Sequence, residues 1–98
     1  MTPIQVITIE MENKTVRVMV ENTLPSLYRA YYSYKFDERY EPFVYSGIED
    51  SDPLALLRDC RDALTSRQGD VVGGDNQISD IYKHDDIENI LGVKVTKS

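Results

Sequence analysis

The residues that catalysis would require are few in this sequence. The chain has 98 residues, with one histidine and one cysteine. His84 stands directly before two aspartates, and general acid–base chemistry often uses such a histidine–carboxylate pair. Cys60 falls on the apolar side of a candidate helix, where a thiol normally packs without reacting. We therefore expect no catalytic residue, and we interpret His84 as an exposed residue at a helix start.

The residue types also give little support to metal or phosphate chemistry. A zinc site would depend mostly on carboxylates, whereas zinc prefers nitrogen and sulfur ligands. In the glycine-rich segment 69–77, Asp70, Asp75 and Asn76 do not have the spacing of a calcium-binding loop. The segment also lacks the Gly-Lys-Ser/Thr ending of a phosphate-binding loop. We expect no metal and no cofactor, and we interpret the segment as a mobile connector.

Aromatic side chains are concentrated in one part of the sequence, with basic residues between them. Eight of the nine aromatic residues lie between positions 28 and 45. Helical spacing assigns Tyr28, Tyr31 and Tyr34 to a buried stripe. Tyrosine and arginine anchor many protein interfaces, and they also stack on unpaired bases. Core packing, a protein interface and base stacking therefore stay open as alternatives. The candidate binding residues are Arg29, Tyr32, Lys35, Phe36, Arg39 and Tyr40.

Acidic side chains accumulate in the second half of the chain. The formal net charge is −6, with −1 in residues 1–48 and −5 in residues 49–98. Carboxylates three or four positions apart on a helix lie about 5–6 Å from each other, near the spacing of successive phosphates in a nucleic acid. Such a row would fit a groove built for DNA or RNA. The alternative is a solvated rim with aspartates that cap helices. The candidate acidic residues are Asp70, Asp75, Asp80, Asp85, Asp86 and Glu88.

The elements that must position these residues begin with a β-hairpin. Residues 4–11 and 15–20 alternate between apolar and polar side chains, which is typical of strands with one buried face. The apolar rows are Ile7, Ile9, Met11, Val16, Val18 and Val20. A polar break at Asn13 predicts the turn, because asparagine tolerates a positive φ.

Two helices are predicted in the middle of the chain. Apolar residues recur at helical spacing from Leu24 to Tyr34, after a cap at Asn22 or Thr23 and with Pro25 in the first turn. The clearest helix start is Ser51 or Asp52 followed by Pro53. Arg67 and Gly69 mark the end of this second helix. Between the two helices, residues 43–46 predict a short strand.

A third helix and a last strand are predicted near the C-terminus. Asp85 or Asp86 is the cap, Ile87, Ile90 and Leu91 form the apolar stripe, and Gly92 ends the helix. Residues 93–96 form the strand. The expected fold is therefore a single α+β domain, 1–98. It has a small, mostly antiparallel sheet, made of the hairpin and one or two further strands, with two or three helices packed on one face.

Composition also bears on the compartment. No apolar run approaches the roughly 18–20 residues that span a bilayer. The first residues lack the basic and apolar regions of a signal peptide, and a lone cysteine forms no internal disulfide. We predict a cytoplasmic protein that binds no membrane.

In its small size, its acidic stretch from Asp70 to Glu88 and its Tyr/Arg-rich segment, the chain resembles the small acidic proteins that phages encode against bacterial defence, anti-CRISPR proteins among them. This resemblance is one of size and composition, without a shared motif. It implies either imitation of DNA or obstruction of a protein surface. We therefore predict a non-catalytic, stoichiometric inhibitor that docks on a basic, nucleic-acid-binding surface of a protein partner. The alternatives are a single-stranded nucleic-acid-binding module that uses residues 28–45, a structural or adaptor subunit, and a small enzyme that uses His84.

Overall fold

The computed structural model describes the backbone of residues 2–78 and the side chains of residues 6–74. Six strands and one helix follow each other in this part of the chain. They are β1 (Thr2–Met11), β2 (Thr15–Leu24), β3 (Leu27–Phe36), β4 (Arg39–Tyr40), β5 (Val44–Asp50), α1 (Pro53–Gln68) and β6 (Val71–Ile78). The helix predicted at residues 85–92 and the strand predicted at residues 93–96 lie outside the described residues.

The predicted N-terminal hairpin is confirmed. β1 and β2 pair antiparallel, with Ile7 opposite Val18 and Ile9 opposite Val16. The turn is closed by a backbone hydrogen bond from the Met11 amide to the Lys14 carbonyl at 2.9 Å. The expectation that Asn13 supplies a positive φ at this turn is wrong, because its φ is not positive.

The helix predicted from Leu24 to Tyr34 is wrong, because this segment forms most of β3. Leu24 and Leu27 instead face each other across a two-residue hairpin turn. Pro25 takes its first central position and Ser26 its second, with a φ of 62°. Proline favours the first of these positions, where its ring fixes φ near −65°. β3 then pairs with β2 from Leu27 to Tyr34.

The far edge of β3 is shared by two strands. β5 pairs with the first half of β3, from Tyr28 opposite Asp50 to Tyr32 opposite Val44. β4 pairs with its last two residues, as Lys35 opposite Tyr40 and Phe36 opposite Arg39. The short strand predicted at residues 43–46 is therefore the start of a longer one.

The predicted helix start at Ser51–Pro53 is confirmed in α1. Asp52 is the cap, and its carboxylate accepts a hydrogen bond from the Leu54 amide at 3.1 Å. Such a cap satisfies one of the amides that the first helical turn leaves without a partner. The helix ends at Gln68, and Gly69 follows with a φ of 83°.

The glycine-rich segment forms a strand, not the predicted connector. β6 pairs antiparallel with β1 at the edge of the sheet, with Gly74 opposite Ile9 and Asp75 opposite Thr8. Gly74 has a φ of 145°, and a Cβ placed there would lie 2.3 Å from the Thr8 carbonyl oxygen. Glycine therefore permits the close approach of the two backbones.

The resulting sheet has the order β6–β1–β2–β3, with β5 and β4 beside β3. One face packs against α1 in a single core cluster. Its members are Ile7, Ile9, Met11, Val16, Val18, Val20, Ala30, Tyr32, Leu56, Leu57, Cys60 and Leu64. Within residues 2–78 the fold is thus a mostly antiparallel sheet with a single helix, and the expectation of an α+β domain with two or three helices is wrong.

Candidate functional site

The face of the sheet opposite α1 carries the candidate site. Side chains alternate between the two faces of a strand, so residues that neighbour the core positions of β2 and β3 must point to this second face. Tyrosine and arginine are concentrated there. We call the group the Tyr/Arg patch: Arg17, Met19, Arg29, Tyr31, Tyr40 and Tyr45, with the carboxylates Glu21 and Glu49. Within the described residues, the helix lies on the other face and leaves the patch uncovered.

Two cross-strand rows position the centre of the patch. Met19, Tyr31 and Tyr45 face each other across β2, β3 and β5. Glu21, Arg29 and Glu49 form the next row. Directly opposed side chains in an antiparallel sheet are close enough to contact, so the register brings both rows together.

The tyrosines of the patch are held by each other and by carboxylates. The rings of Tyr31 and Tyr45 have centroids 5.5 Å apart and are tilted by 47°. The Tyr31 hydroxyl donates to Glu21 Oε1 at 3.3 Å, and the Tyr45 hydroxyl donates to Glu49 Oε2 at 3.4 Å. Their orientation is therefore set before any partner binds.

Arg29 links β3 to β5 through a side-chain hydrogen bond. Its Nε donates to Glu49 Oε2 at 3.0 Å, and its guanidinium lies 5.5 Å from the centre of the Tyr45 ring. The hydrogen bond to Glu49 is the main cause that raises the pKa of Arg29. Both side chains of the pair are more than a third exposed, so the pair adds order more than stability.

Glu21 is a buried carboxylate at the centre of this face. Its residue is 2% exposed. Its Oε1 accepts from Thr23 Oγ1 at 3.1 Å and from the Tyr31 hydroxyl. These hydroxyl donors offset part of the cost of removing the carboxylate from water.

A second aromatic–basic contact lies toward the β3–β4 hairpin. The Arg17 guanidinium stacks 3.7 Å from the centre of the Tyr40 ring, and Lys35 Nζ lies 6.0 Å from it. The buried Ser33 hydroxyl donates to the Glu41 carbonyl and holds the chain beyond Tyr40 against β3. Stacked arginine and tyrosine side chains of this kind are common contact points for protein partners and for unpaired bases.

The aromatic and basic candidates divide among the patch, the hairpin tip and the core. Arg29 and Tyr40 belong to the patch, and Lys35 lies beside it. Phe36 is 61% exposed, and Arg39 is exposed at the same hairpin tip. Tyr32 is 9% exposed and belongs to the core cluster, so it offers no contact to a partner.

Sequence reasoning missed Arg17, Met19, Tyr31 and Tyr45, and it missed the two carboxylates. Helical spacing had assigned Tyr31 to the core and left Tyr32 for the surface, and the strand reverses both positions. A period-two reading of residues 27–36 would have found this, since Arg29, Tyr31, Ser33 and Lys35 alternate with Tyr28, Ala30, Tyr32 and Tyr34.

The acidic candidates are mostly outside the described residues. Asp70 is exposed between α1 and β6, where its backbone carbonyl accepts from the Glu12 amide at 3.1 Å. The Asp75 backbone lies in β6, and its side chain is not among those described. Asp80, Asp85, Asp86, Glu88 and His84 also lie outside the described residues, so the acidic row stays a prediction.

The burial and the pKa of Cys60 agree with a role in core packing. Cys60 is a buried free thiol, and its burial raises its pKa to about 12. A thiol with so high a pKa is protonated at neutral pH and is a poor nucleophile. Among the described residues, no cluster of histidine, cysteine, aspartate or glutamate has the arrangement of a metal site.

Within residues 2–78, no helix has the length and apolar character to cross a membrane. No protein-family model, curated protein or solved structure matches the chain.

Proposed function

We propose that the protein is a non-catalytic binding protein that inhibits a protein partner stoichiometrically. It docks on a basic surface of that partner and acts in the cytoplasm. The Tyr/Arg patch supports this proposal: aromatic and arginine side chains stand on a sheet face that no described element covers. Tyrosine and arginine give large contact areas at low entropic cost, and they are enriched among the residues that dominate binding energy.

The contacts within the patch favour tight docking. Tyr31, Tyr45 and Arg29 are already oriented by Glu21 and Glu49 in the free protein. A partner therefore binds side chains that lose little further freedom, which reduces the entropic cost of association.

Charge supports a basic partner. The chain carries a net charge of −6, and Glu49 is partly exposed within the patch. Opposite charges chiefly accelerate encounter and exclude wrong partners. Mimicry of DNA by the acidic residues beyond the described part of the chain belongs to the same proposal, as does the resemblance to phage inhibitors of bacterial defence.

The test uses the tagged full-length chain and two variants. Tyr45→Ala removes a 43% exposed ring from the patch, and Arg58→Ala removes an exposed side chain from α1 on the other side of the sheet. Proteins captured from a bacterial lysate by the unmodified chain are purified and titrated with all three proteins by calorimetry. We expect Tyr45→Ala to weaken binding about tenfold or more and Arg58→Ala to leave it within twofold. Equal affinities for the patch variant and the unmodified chain would refute the role of the patch.

Binding of single-stranded nucleic acid is the second candidate, and the Arg17–Tyr40 stack is the observation that favours it. Against it, Glu21 and Glu49 contact the tyrosine hydroxyls, and their negative charges repel phosphates. Fluorescence anisotropy with labelled oligo-dT and oligo-U at low salt separates the two functions. We expect no binding at high micromolar protein. Saturable binding that is lost in Tyr40→Ala would make nucleic acid the partner.

A further inference from the structure

A groove lies on the helix side of the sheet, where the last turn of α1 passes the start of β5. Its volume is about 310 Å³, within the size range of small-molecule sites. The groove is lined by Tyr32, Tyr34, Glu41, Pro42, Val44, Tyr45, Ser46 and Arg67. Tyr45 also belongs to the Tyr/Arg patch, whereas Arg67 lies outside it.

The walls of the groove are largely apolar. Val44 opens β5 and is 67% exposed, an unusual exposure for a valine that faces the helix side. The ring of Tyr34 packs at the edge of the core, beside Tyr32 at 6.1 Å between ring centroids. The Tyr32 hydroxyl itself is shielded from solvent. Tyr32 therefore lines the groove only through the small exposed part of its side chain, and its hydroxyl is not available to a ligand.

Arg67 is the cation of the groove. It is the basic residue of the last turn of α1, and its side chain is exposed. The ion pairs formed among the described residues join Arg29 to Glu49 and Arg61 to Asp62 and leave Arg67 without a carboxylate. A guanidinium beside an apolar groove is well suited to hold a carboxylate by charge-assisted hydrogen bonds.

Glu41 also lines the groove and limits the ligands that fit. Its backbone is fixed at both ends, because its amide donates to the Tyr34 carbonyl at 2.9 Å and its carbonyl accepts from the Ser33 hydroxyl. Its carboxylate disfavours an anion that is placed next to it. We therefore expect the negative group of a ligand to lie beside Arg67.

From these features we infer that the groove binds a small carboxylic acid with an apolar body. The carboxylate pairs with Arg67, and the hydrocarbon part packs on Tyr34, Val44 and Pro42. This site is additional to the proposed docking surface, and its test uses no partner protein.

The experiment is an NMR titration of the isotope-labelled full-length chain with 4-phenylbutyrate. Its neutral analogue, 4-phenylbutanol, is the matched ligand. A ligand of about a dozen non-hydrogen atoms is expected to bind in the millimolar range. We expect saturable shifts of the Tyr34, Val44 and Ser46 signals with the acid. We expect the alcohol to bind at least about tenfold more weakly than the acid.

Four variants locate the ligand. Arg67→Gln is expected to weaken binding of 4-phenylbutyrate by about tenfold to a hundredfold, the usual range for a hydrogen bond to a charged group. Arg58→Gln, an exposed arginine of the same helix outside the groove, is expected to leave the affinity within twofold. Tyr32→Phe keeps the ring and is expected to bind as the unmodified chain does. Glu41→Gln removes the repelling charge and is expected to bind more tightly.

Two results would overturn the inference. One is the absence of saturable shifts at these residues up to tens of millimolar ligand. The other is an equal affinity of the unmodified chain and Arg67→Gln for the acid, which would place the carboxylate elsewhere. Because Arg67 is outside the Tyr/Arg patch, either result leaves the proposed docking surface unaffected.

Discussion

Tyr32 places a polar hydroxyl group inside the hydrophobic core. Its hydroxyl is buried and has no hydrogen-bond partner within the described part of the chain. The Cys60 thiol lies beside the hydroxyl and interacts with it, but a thiol is at most a weak hydrogen-bond partner. Burial raises the pKa of Tyr32 well above its ordinary range, so the group stays neutral. A buried hydroxyl without a partner costs about 1–3 kcal/mol.

Replacing Tyr32 with phenylalanine is therefore expected to stabilise the protein. The ring and its packing are kept while the unpaired hydroxyl is removed, so we expect a gain of about 1 kcal/mol in the free energy of unfolding. Urea denaturation followed by circular dichroism measures it. Tyr34→Phe, on the same strand and half-buried, is the control and is expected to change stability by less than about 0.5 kcal/mol. A loss of stability in Tyr32→Phe would mean that its hydroxyl is paired.

At the scale of elements, local signals predicted what depends on neighbouring residues. Asp52 and Pro53 predicted the start of α1, because a cap and a first-turn proline act within a few residues. The alternation of Ile7, Ile9 and Met11 predicted the buried face of β1. Both signals are complete in the sequence itself.

The wrong prediction of a helix in place of β3 arose because the residues of this segment do not themselves show which strands pair with it. Leu24, Leu27 and Tyr28 fit a helical stripe as well as a hairpin. The outcome depends on β2 and β5, which pair with both edges of β3 and give its aromatic side chains cross-strand neighbours. The candidate site follows the same division: Arg29 and Tyr40 were predicted, and Tyr31 and Tyr45 were found only once the strand pairing was known.

β6 is the strand that its glycine-rich sequence did not predict, and Gly74 gives a test of how it pairs with β1. Gly74→Ala places a Cβ 2.3 Å from the Thr8 carbonyl oxygen, so β6 must move away from β1. We expect a loss of about 2–3 kcal/mol in unfolding free energy. Gly47→Ala is the control, since Gly47 has a φ of 81° but no atom within 4 Å of the added Cβ. Backbone strain alone is expected to cost it about 1 kcal/mol. Equal losses in the two variants, measured by urea denaturation, would exclude the steric role of Gly74.

Within residues 2–78, one face of the sheet is closed by α1 and the other face is covered by no element. The helix and the sheet enclose the core, and the Tyr/Arg patch lies on the face opposite to it. The closed face also holds two titratable groups, Cys60 and Tyr32, in their neutral forms. The stability of the whole fold is therefore linked to pH in the alkaline range.

For Cys60 the direction follows from the two states of the chain. Its pKa rises from an ordinary value of 9.0 to about 12 in the folded protein. Below pH 9 both the folded and the unfolded chain keep the thiol proton, so Cys60 contributes no pH dependence to the stability. Between pH 9 and 12 the unfolded chain has lost the proton and the folded chain keeps it, so the stability falls as pH rises. One proton gives a slope of at most about 1.4 kcal/mol per pH unit.

Urea denaturation at intervals from pH 7 to pH 11 tests this linkage. We expect a constant unfolding free energy up to about pH 8.5 and a steady decrease above pH 9. Cys60→Ala removes one of the groups responsible, so its curve is expected to fall less steeply above pH 9, whatever its stability at neutral pH. The raised pKa of Tyr32 adds a second decline above its ordinary value of 10.0, and Tyr32→Phe removes that part. Parallel curves for Cys60→Ala and the unmodified chain would show that the thiol ionises as readily in the folded protein as in the unfolded chain.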